Sequence, residues 1–293
     1  MAYSLADKVV LITGASSGIG RAVALEVAAK GASVVLAARR HDLLQAVANE
    51  VSKRGGTPLV VPTDMAVTSQ VEALAAKALE HFGRVDILVN NAGYGQMGPI
   101  ESVGEAAVRQ QFDVNVFGLL TLTRQLIPQM RSCRQGRIVN LSSVAGKVAF
   151  PFMGIYNASK HAVEAISDAM RMELAPFGIR TIVIEPGPVE TEFFQVAERQ
   201  AASDINTEDN PYGAILQEVG ENFNGSSNGF AWSAERTAKT IVRAIEADSP
   251  SDRYTAFQGG KLALGLMTAL PTAVADRIYS KWFGLDQLKA DSE

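Results

Sequence analysis

Thr13-Gly14-Ala15-Ser16-Ser17-Gly18-Ile19-Gly20 follows the apolar run Lys8-Val9-Val10-Leu11-Ile12 and opens an alanine-rich helical pattern that continues to Lys30. The order is a strand, a glycine turn and a helix start. Gly14 permits the tight turn, Gly18 lets a ligand approach the backbone, and Gly20 allows the helix to pack against the strand. A helix N-terminus opened in this way suits a pyrophosphate. Gly14-Ala15-Ser16-Ser17-Gly18 also fits G-x-S-x-G, a nucleophile elbow with Ser16 as nucleophile. That reading needs an acid and then a histidine further on, and no histidine follows His161.

The remaining chain alternates strand and helix patterns. Ser33 to Ala38 reads as a second strand and ends in Ala38-Arg39-Arg40. An acid at Ala38 would accept hydrogen bonds from a ribose 2′-hydroxyl, whereas the Arg39 guanidinium suits a 2′-phosphate. Leu59 to Val61 reads as strand three, followed by Asp64-Met65 and a capping box, Ser69-Gln70-Val71-Glu72, that opens a helix to Phe82. Asp86 to Val89 makes a fourth strand, ending in Asn90-Asn91-Ala92-Gly93. A second capping box, Ser102-Val103-Gly104-Glu105, starts a long helix through Asn115 to Arg131, with Pro128 expected to kink it or mark its end. Ile179 to Ile184 reads as another strand, leading into Glu185-Pro186-Gly187-Pro188-Val189-Glu190-Thr191, and Ser233 begins a helix to Ala247. The fold class expected from this alternation is α/β, a doubly wound parallel sheet.

The chemistry concentrates between Arg137 and Ala175. Arg137-Ile138-Val139-Asn140-Leu141 is a short buried strand, so Ser142 and Ser143 sit where it leaves the sheet. Ile155 to Ala175 reads as a helix on which Tyr156 and Lys160 are four apart and share a face. A tyrosine normally titrates near ~10, and a positive charge within a few ångströms favours the phenolate. Tyr156 is thereby expected to act as proton donor and acceptor.

Composition sets bounds. Of 293 residues 47% are hydrophobic and 20% charged, with a formal net charge of −4, so no basic excess attracts nucleic acid. Cys133 is the single cysteine, and His41, His81 and His161 show no ligand spacing, so neither a disulfide within the chain nor a structural zinc is expected. The N-terminus lacks a signal-peptide pattern and the uncharged run Leu262 to Ala275 is broken by Pro271, which together give cytoplasm and no transmembrane span as the expectation.

Taken together, T-G-x-x-x-G-x-G, N-N-A-G, the Asn115 helix, Ser143 with Tyr156-x-x-x-Lys160, and P-G-x-V-x-T resemble the short-chain dehydrogenase/reductase family. They are similar to its NADP(H)-preferring, hydroxysteroid and retinol dehydrogenase-like members. The resemblance implies a Rossmann-like fold and a catalytic set of Asn115, Ser143, Tyr156 and Lys160. Ser143 would hold the carbonyl oxygen, Lys160 would lower the phenol's pKa and hold the nicotinamide ribose, and Asn115 would keep a relay water. It implies NADP(H) bound by Gly14, Ser16, Ser17, Gly18, Ile19, Gly20 and Arg39, with Asp64 near the adenine beside Met65. Asn91, Gly93, Tyr156, Lys160, Pro186, Val189 and Thr191 would complete that site, and a homo-oligomer is implied through the helices around Asn115 and Tyr156. A non-catalytic NADP(H)-binding regulator of the same fold is the alternative, and a binder would have no need of all four catalytic residues.

A single domain is expected over 1–255, with a substrate loop at 192–230 carrying Phe193, Phe194, Tyr212, Phe223 and Phe230 and an extension at 256–293 packing on it. Val148-Ala149-Phe150-Pro151-Phe152-Met153 precede Tyr156, and Leu262 to Leu270 are expected to close a further side. The substrate expected from these walls is a lipophilic carbonyl compound or alcohol.

Overall fold

The computed structural model describes residues 3–193, 210–213, 215–216, 231–257 and 259–288. Its centre is a seven-stranded parallel sheet in the order β3-β2-β1-β4-β5-β6-β9. The strands are β1 Val9–Thr13, β2 Ser33–Ala38, β3 Pro58–Pro62, β4 Ile87–Asn90, β5 Gly136–Leu141, β6 Ile179–Pro186 and β9 Arg253–Ala256. A separate parallel pair joins β7 Val189–Glu190 to β8 Trp232–Ser233.

Both faces of the sheet are covered, which is why the strands read as nearly continuous apolar runs. Along β1 the side chains alternate between two cores. Val10 and Ile12 face α1 (Gly18–Ala28), α2 (His41–Lys53) and α7 (Ala234–Glu246), whereas Val9 and Leu11 face α3 (Thr68–Phe82), α5 (Gly118–Ser132) and α6 (Gly154–Leu174). Strand order reverses between β1 and β4, and a crevice outside the strand ends at such a point is where an open α/β sheet takes its ligand. A buried polar ladder stiffens the sheet beside it. Asn90 donates to Thr123 Oγ1 at 3.1 Å and Asn140 Oδ1 at 2.9 Å, and Asn140 donates to Ser167 Oγ at 2.9 Å.

Two helix starts differ from the sequence expectation. α3 begins at Thr68 with Val67 as its cap, so Ser69 lies inside the helix, and Gln70 instead accepts a hydrogen bond from the Asp64 backbone at 2.8 Å. α4 (Glu105–Phe112) is preceded by Gly104 without a side-chain cap, and Ser102 Oγ accepts from Asn210 at 2.9 Å. The long helix itself is interrupted. A π-helical turn at Asp113–Phe117 separates α4 from α5, and α5 runs on past Pro128 to Ser132. Such turns insert one extra residue and occur at functional sites. The C-terminal helices α8 (Gly260–Ala269) and α9 (Thr272–Trp282) send Leu264 and Tyr279 against Val148 and Phe150. None of the described helices is long and apolar enough to cross a membrane.

Candidate active site

The turns after β1 and β4 are stitched together. Thr13 Oγ1 accepts from the backbone N–H groups of Asn91 and Ala92, both at 3.0 Å, and the Asn91 amide donates to the carbonyls of Thr13 at 2.9 Å and Gly14 at 3.2 Å. This closeness dictates the glycines. A side chain at Gly14, where φ is +67°, would lie 2.7 Å from Asn91 Nδ2, and one at Gly20 would collide with the Gly14 carbonyl. At Gly18, where φ is +52°, the neighbour is Thr191 Cγ2 at 2.9 Å. The Thr191 methyl thus stands beside Gly18, which brings the loop after β6 close to the glycine turn. Ser16 is half-buried in that turn and Ile19 packs against the core.

The first turn of α1 holds no acidic residue and its cap, Ser17, makes no side-chain capping bond. Its leading N–H groups are thus left for an anion. The Ser17 hydroxyl is used elsewhere: Arg40 donates to it at 2.9 Å and to Glu192 at 2.8 Å. Arg39, the residue the sequence favoured, is exposed one position earlier, and it is Arg40 that reaches the turn. The Asp64 carboxylate accepts from Ala66 N–H at 3.0 Å, and the buried Met65 places its carbonyl against Gly118.

Asn115 and Lys160 meet at Gly93. A side chain there would sit 3.1 Å from Asn115 Oδ1 and 3.6 Å from Lys160 Nζ. Asn115, in the π-helical turn, accepts from Tyr94 N–H at 3.1 Å and donates to the Tyr94 carbonyl at 3.0 Å and to Ser159 Oγ at 3.1 Å. Both of its N–H groups are committed, so the relay water the resemblance implied would have to donate to Asn115 at the second lone pair of Oδ1 or at its backbone carbonyl. Its observed work is to fix the Tyr94 backbone over α6. Lys160 Nζ donates to the Leu141 carbonyl at 2.7 Å and lies 5.8 Å from the centre of the Tyr156 ring. Ser143 caps the turn Val144–Gly146 by accepting from Ala145 N–H at 3.1 Å, donates to the Pro186 carbonyl at 3.4 Å, and lies near enough to the Tyr156 phenol to act on it.

Burial pushes the Tyr156 phenol up to about 12, against the lowering effect of Ser143. Burial also pulls Lys160 down to about 8, with Glu164 acting the other way. The expectation that Lys160 lowers the phenol is thus not met. The ammonium is directed to Leu141, and desolvation sets the direction of the phenol's shift. Above about 8 and up to the usual lysine range the unfolded chain binds more protons than the folded one, so stability rises with pH there, and below it the buried charge destabilises. Lys160→Met should therefore melt higher than wild type at neutral pH and lose that alkaline gain. Thermal melts across pH check it, and a lower neutral-pH melting temperature in the variant would contradict it.

An apolar wall flanks the phenol. Ala145, Met153, Met97, Phe150 and Phe193 pack around Tyr156, with the Phe193 ring centre 5.4 Å from that of the tyrosine. Phe152 is buried with φ at +61°, a strained value for a bulky residue, and its ring meets Tyr212 at 5.7 Å and Phe283 at 6.3 Å. It borders a groove of about 390 Å³ with Pro99, Ile100, Glu101, Tyr212 and Leu285. Of Leu262 to Leu270, Leu264 and Met267 pack with Val148 and Phe150. Leu262 and Leu266, 75% and 64% exposed, share the outer face of α8 because they are one helical turn apart. The expectations for Phe194, Phe223 and Phe230 lie outside the described residues.

The family profile described as short chain dehydrogenase matches residues 8–202. The chain belongs to the short-chain dehydrogenase family. Mouse Dehydrogenase/reductase SDR family member 7B is 37% identical over 215 residues, which make up 72% of this chain and 64% of the mouse protein. A short-chain dehydrogenase/reductase from Burkholderia phymatum, in complex with NAD, is similar with a TM-score of 0.77 at 28% identity, over 99% of this chain and 98% of that one. A metagenomic short-chain oxidoreductase in complex with NADP gives 0.68 at 26% identity, over 86% and 97%. This short-chain dehydrogenase thus shares its fold with proteins that bind either nicotinamide dinucleotide. Within it, the sequence missed Tyr94, Ser159 and the Leu141 carbonyl, all of which act through backbone or short side chains that carry no motif. Arg40 was legible as the second half of the Arg39-Arg40 pair.

Proposed function

We propose that this short-chain dehydrogenase transfers hydride reversibly between NADP(H) and a lipophilic ketone, aldehyde or alcohol, with Tyr156 as acid and base. The observation that carries the reading is that Asn115 and Lys160 meet at Gly93, with the Tyr156 ring 5.8 Å from the ammonium and Ser143 acting on the phenol, beneath an apolar wall. The glycine turn fits a dinucleotide: its α1 N-terminus is uncapped and free of acids. Gly14, Ser16, Ser17, Gly18, Ile19 and Gly20 would hold the pyrophosphate, Asp64 and Met65 the adenine, and Arg39 with Arg40 the 2′-phosphate. Asn91, Gly93, Pro186, Val189 and Thr191 would border the nicotinamide half. When bound, the nicotinamide supplies or accepts the hydride.

The protein's own part is a proton and its placement. The Ser143 hydroxyl, near the phenol, orients the carbonyl oxygen between the two groups. A phenol at about 12 still protonates an alkoxide, a far stronger base. Lys160, at about 8, stays mostly an ammonium at neutral pH and would hold the nicotinamide ribose. The exposed Phe117 in the π-helical turn and Met172 on α6 support pairing of two copies through these helices.

Apolar substrates are favoured by the wall from Val148 to Met153 and by Phe193. Each Å² of ligand surface it covers contributes about 25 cal/mol. A ketone series of rising chain length or ring number, assayed with NADPH, should show kcat/KM increasing with apolar size. A flat series, or a sugar carbonyl as best substrate, would overturn the substrate class.

A further inference from the structure

Behind the Lys160 ammonium lies a buried charge cluster that the reaction as described leaves unused. Glu164 stands one turn beyond Lys160 on the same face of α6 and is buried. One of its oxygens accepts from Arg253 Nε on β9 at 3.0 Å and lies 3.5 Å from Lys147 Nζ, which follows the Ser143 turn. Its other oxygen has no hydrogen-bond partner among the described residues, nor do Ser142 Oγ and Glu185 Oε1. Arg253 also binds Asp168 at 2.7 Å and lies 3.5 Å from Glu185 on β6, while Arg171 sits between Asp168 at 3.4 Å and Asp252 at 3.7 Å. Lys261 on α8 acts on Glu185 from outside.

We propose that Glu164 is a positioning residue that holds the buried Lys160 in its ammonium form. This rests on the reading of Lys160 in the proposed function. Glu164, Glu185 and Asp168 face Arg253 and Lys147, with Lys261 acting on Glu185 from outside, and of these acids Glu164 alone shares the buried face of α6 one turn from Lys160. Arg171 and Asp252 offset each other at the rim. Packing holds the arrangement in place. A side chain at Gly146 would meet the Lys160 carbonyl at 3.0 Å and Glu164 Cγ at 3.2 Å, so the turn that carries Ser143 rests directly on the Lys160–Glu164 turn of α6. Two buried charges one turn apart are little screened by salt. A purely structural role, with Glu164 only tying α6 to the edge strand β9 through Arg253, makes no statement about Lys160.

The test is a ¹³C titration of the full chain labelled at the lysine ε-carbon, with the Lys160 signal assigned by its loss in Lys160→Met. Glu164→Gln should lower the Lys160 midpoint by about one pH unit, the lower end of the range for an opposite charge at close range. Glu164→Asp, which keeps the charge, should restore most of it. Lys147→Met removes a cation beside Glu164 and should move the midpoint the other way, which decides the matter if the Glu164 variants fold poorly. An unmoved midpoint in Glu164→Gln, or a Lys147→Met shift of the same sign, overturns the proposal. The alkaline limb of the pH–rate profile for ketone reduction should track the midpoint. If the midpoint falls while that limb stays, the coupling stands and the catalytic reading of Lys160 is what fails.

Discussion

Tyr156→Phe should bind NADPH as the wild type does and turn over at least ~10²–10⁴-fold more slowly, the range a positioned acid or base contributes. The substitution deletes the transferable proton and almost no volume. Tyr156 is buried against Ala145 and Met153, so phenylalanine keeps the apolar contacts and forfeits only the hydroxyl. Cofactor titration by fluorescence and steady-state rates on the same preparation separate binding from chemistry. A variant that retains more than about a tenth of the wild-type rate would remove Tyr156 from the proton-transfer step.

The second large effect concerns the choice of dinucleotide. NADPH should bind more tightly than NADH, and Arg39→Ala and Arg40→Ala should each weaken NADPH selectively. A charge-assisted hydrogen bond to phosphate contributes about 1.5–3 kcal/mol, roughly ten- to hundredfold in binding. Arg40 is held at the turn by Ser17 and Glu192, and its pair with Glu192 is exposed, so breaking it offsets only about 0–1 kcal/mol of that gain. The double variant should bind the two cofactors alike. Equal losses for NADPH and NADH in the single variants would place both guanidinium groups away from the 2′-phosphate.

Much of this fold could be read from the residues because a parallel sheet covered on both faces writes its strands as apolar runs. Ser33–Ala38 coincides with β2, and Ile155 to Ala175 matches α6 within one residue at each end. The edge strand β9 was not anticipated. Arg253-Tyr254-Thr255-Ala256 carries no run or alternation, and its place is decided by pairing with β6 and by the Arg253 cluster. The π-helical turn at Asn115 escaped as well, since one inserted residue hardly disturbs a helical period.

The candidate site shows the same division. Tyr156, Lys160 and Ser143 were legible because i, i+4 spacing and a strand end fix where such side chains go. What burial does to them was not, because the number of atoms around a side chain is a property of the packed fold. Hence the phenol was expected to be lowered and stands at about 12. Likewise, a glycine at position 18 told of a close approach without telling that Thr191 makes it.

Transfer of deuterium from C4-deuterated NADPH to a lipophilic ketone tests the central claim most directly. The account predicts that mass spectrometry finds one deuterium on the carbinol carbon of the alcohol formed by the wild type, and no labelled alcohol from Tyr156→Phe. Tight NADPH binding with no labelled alcohol from any ketone in the size series would contradict it, and would mark the chain as a cofactor-binding regulator instead.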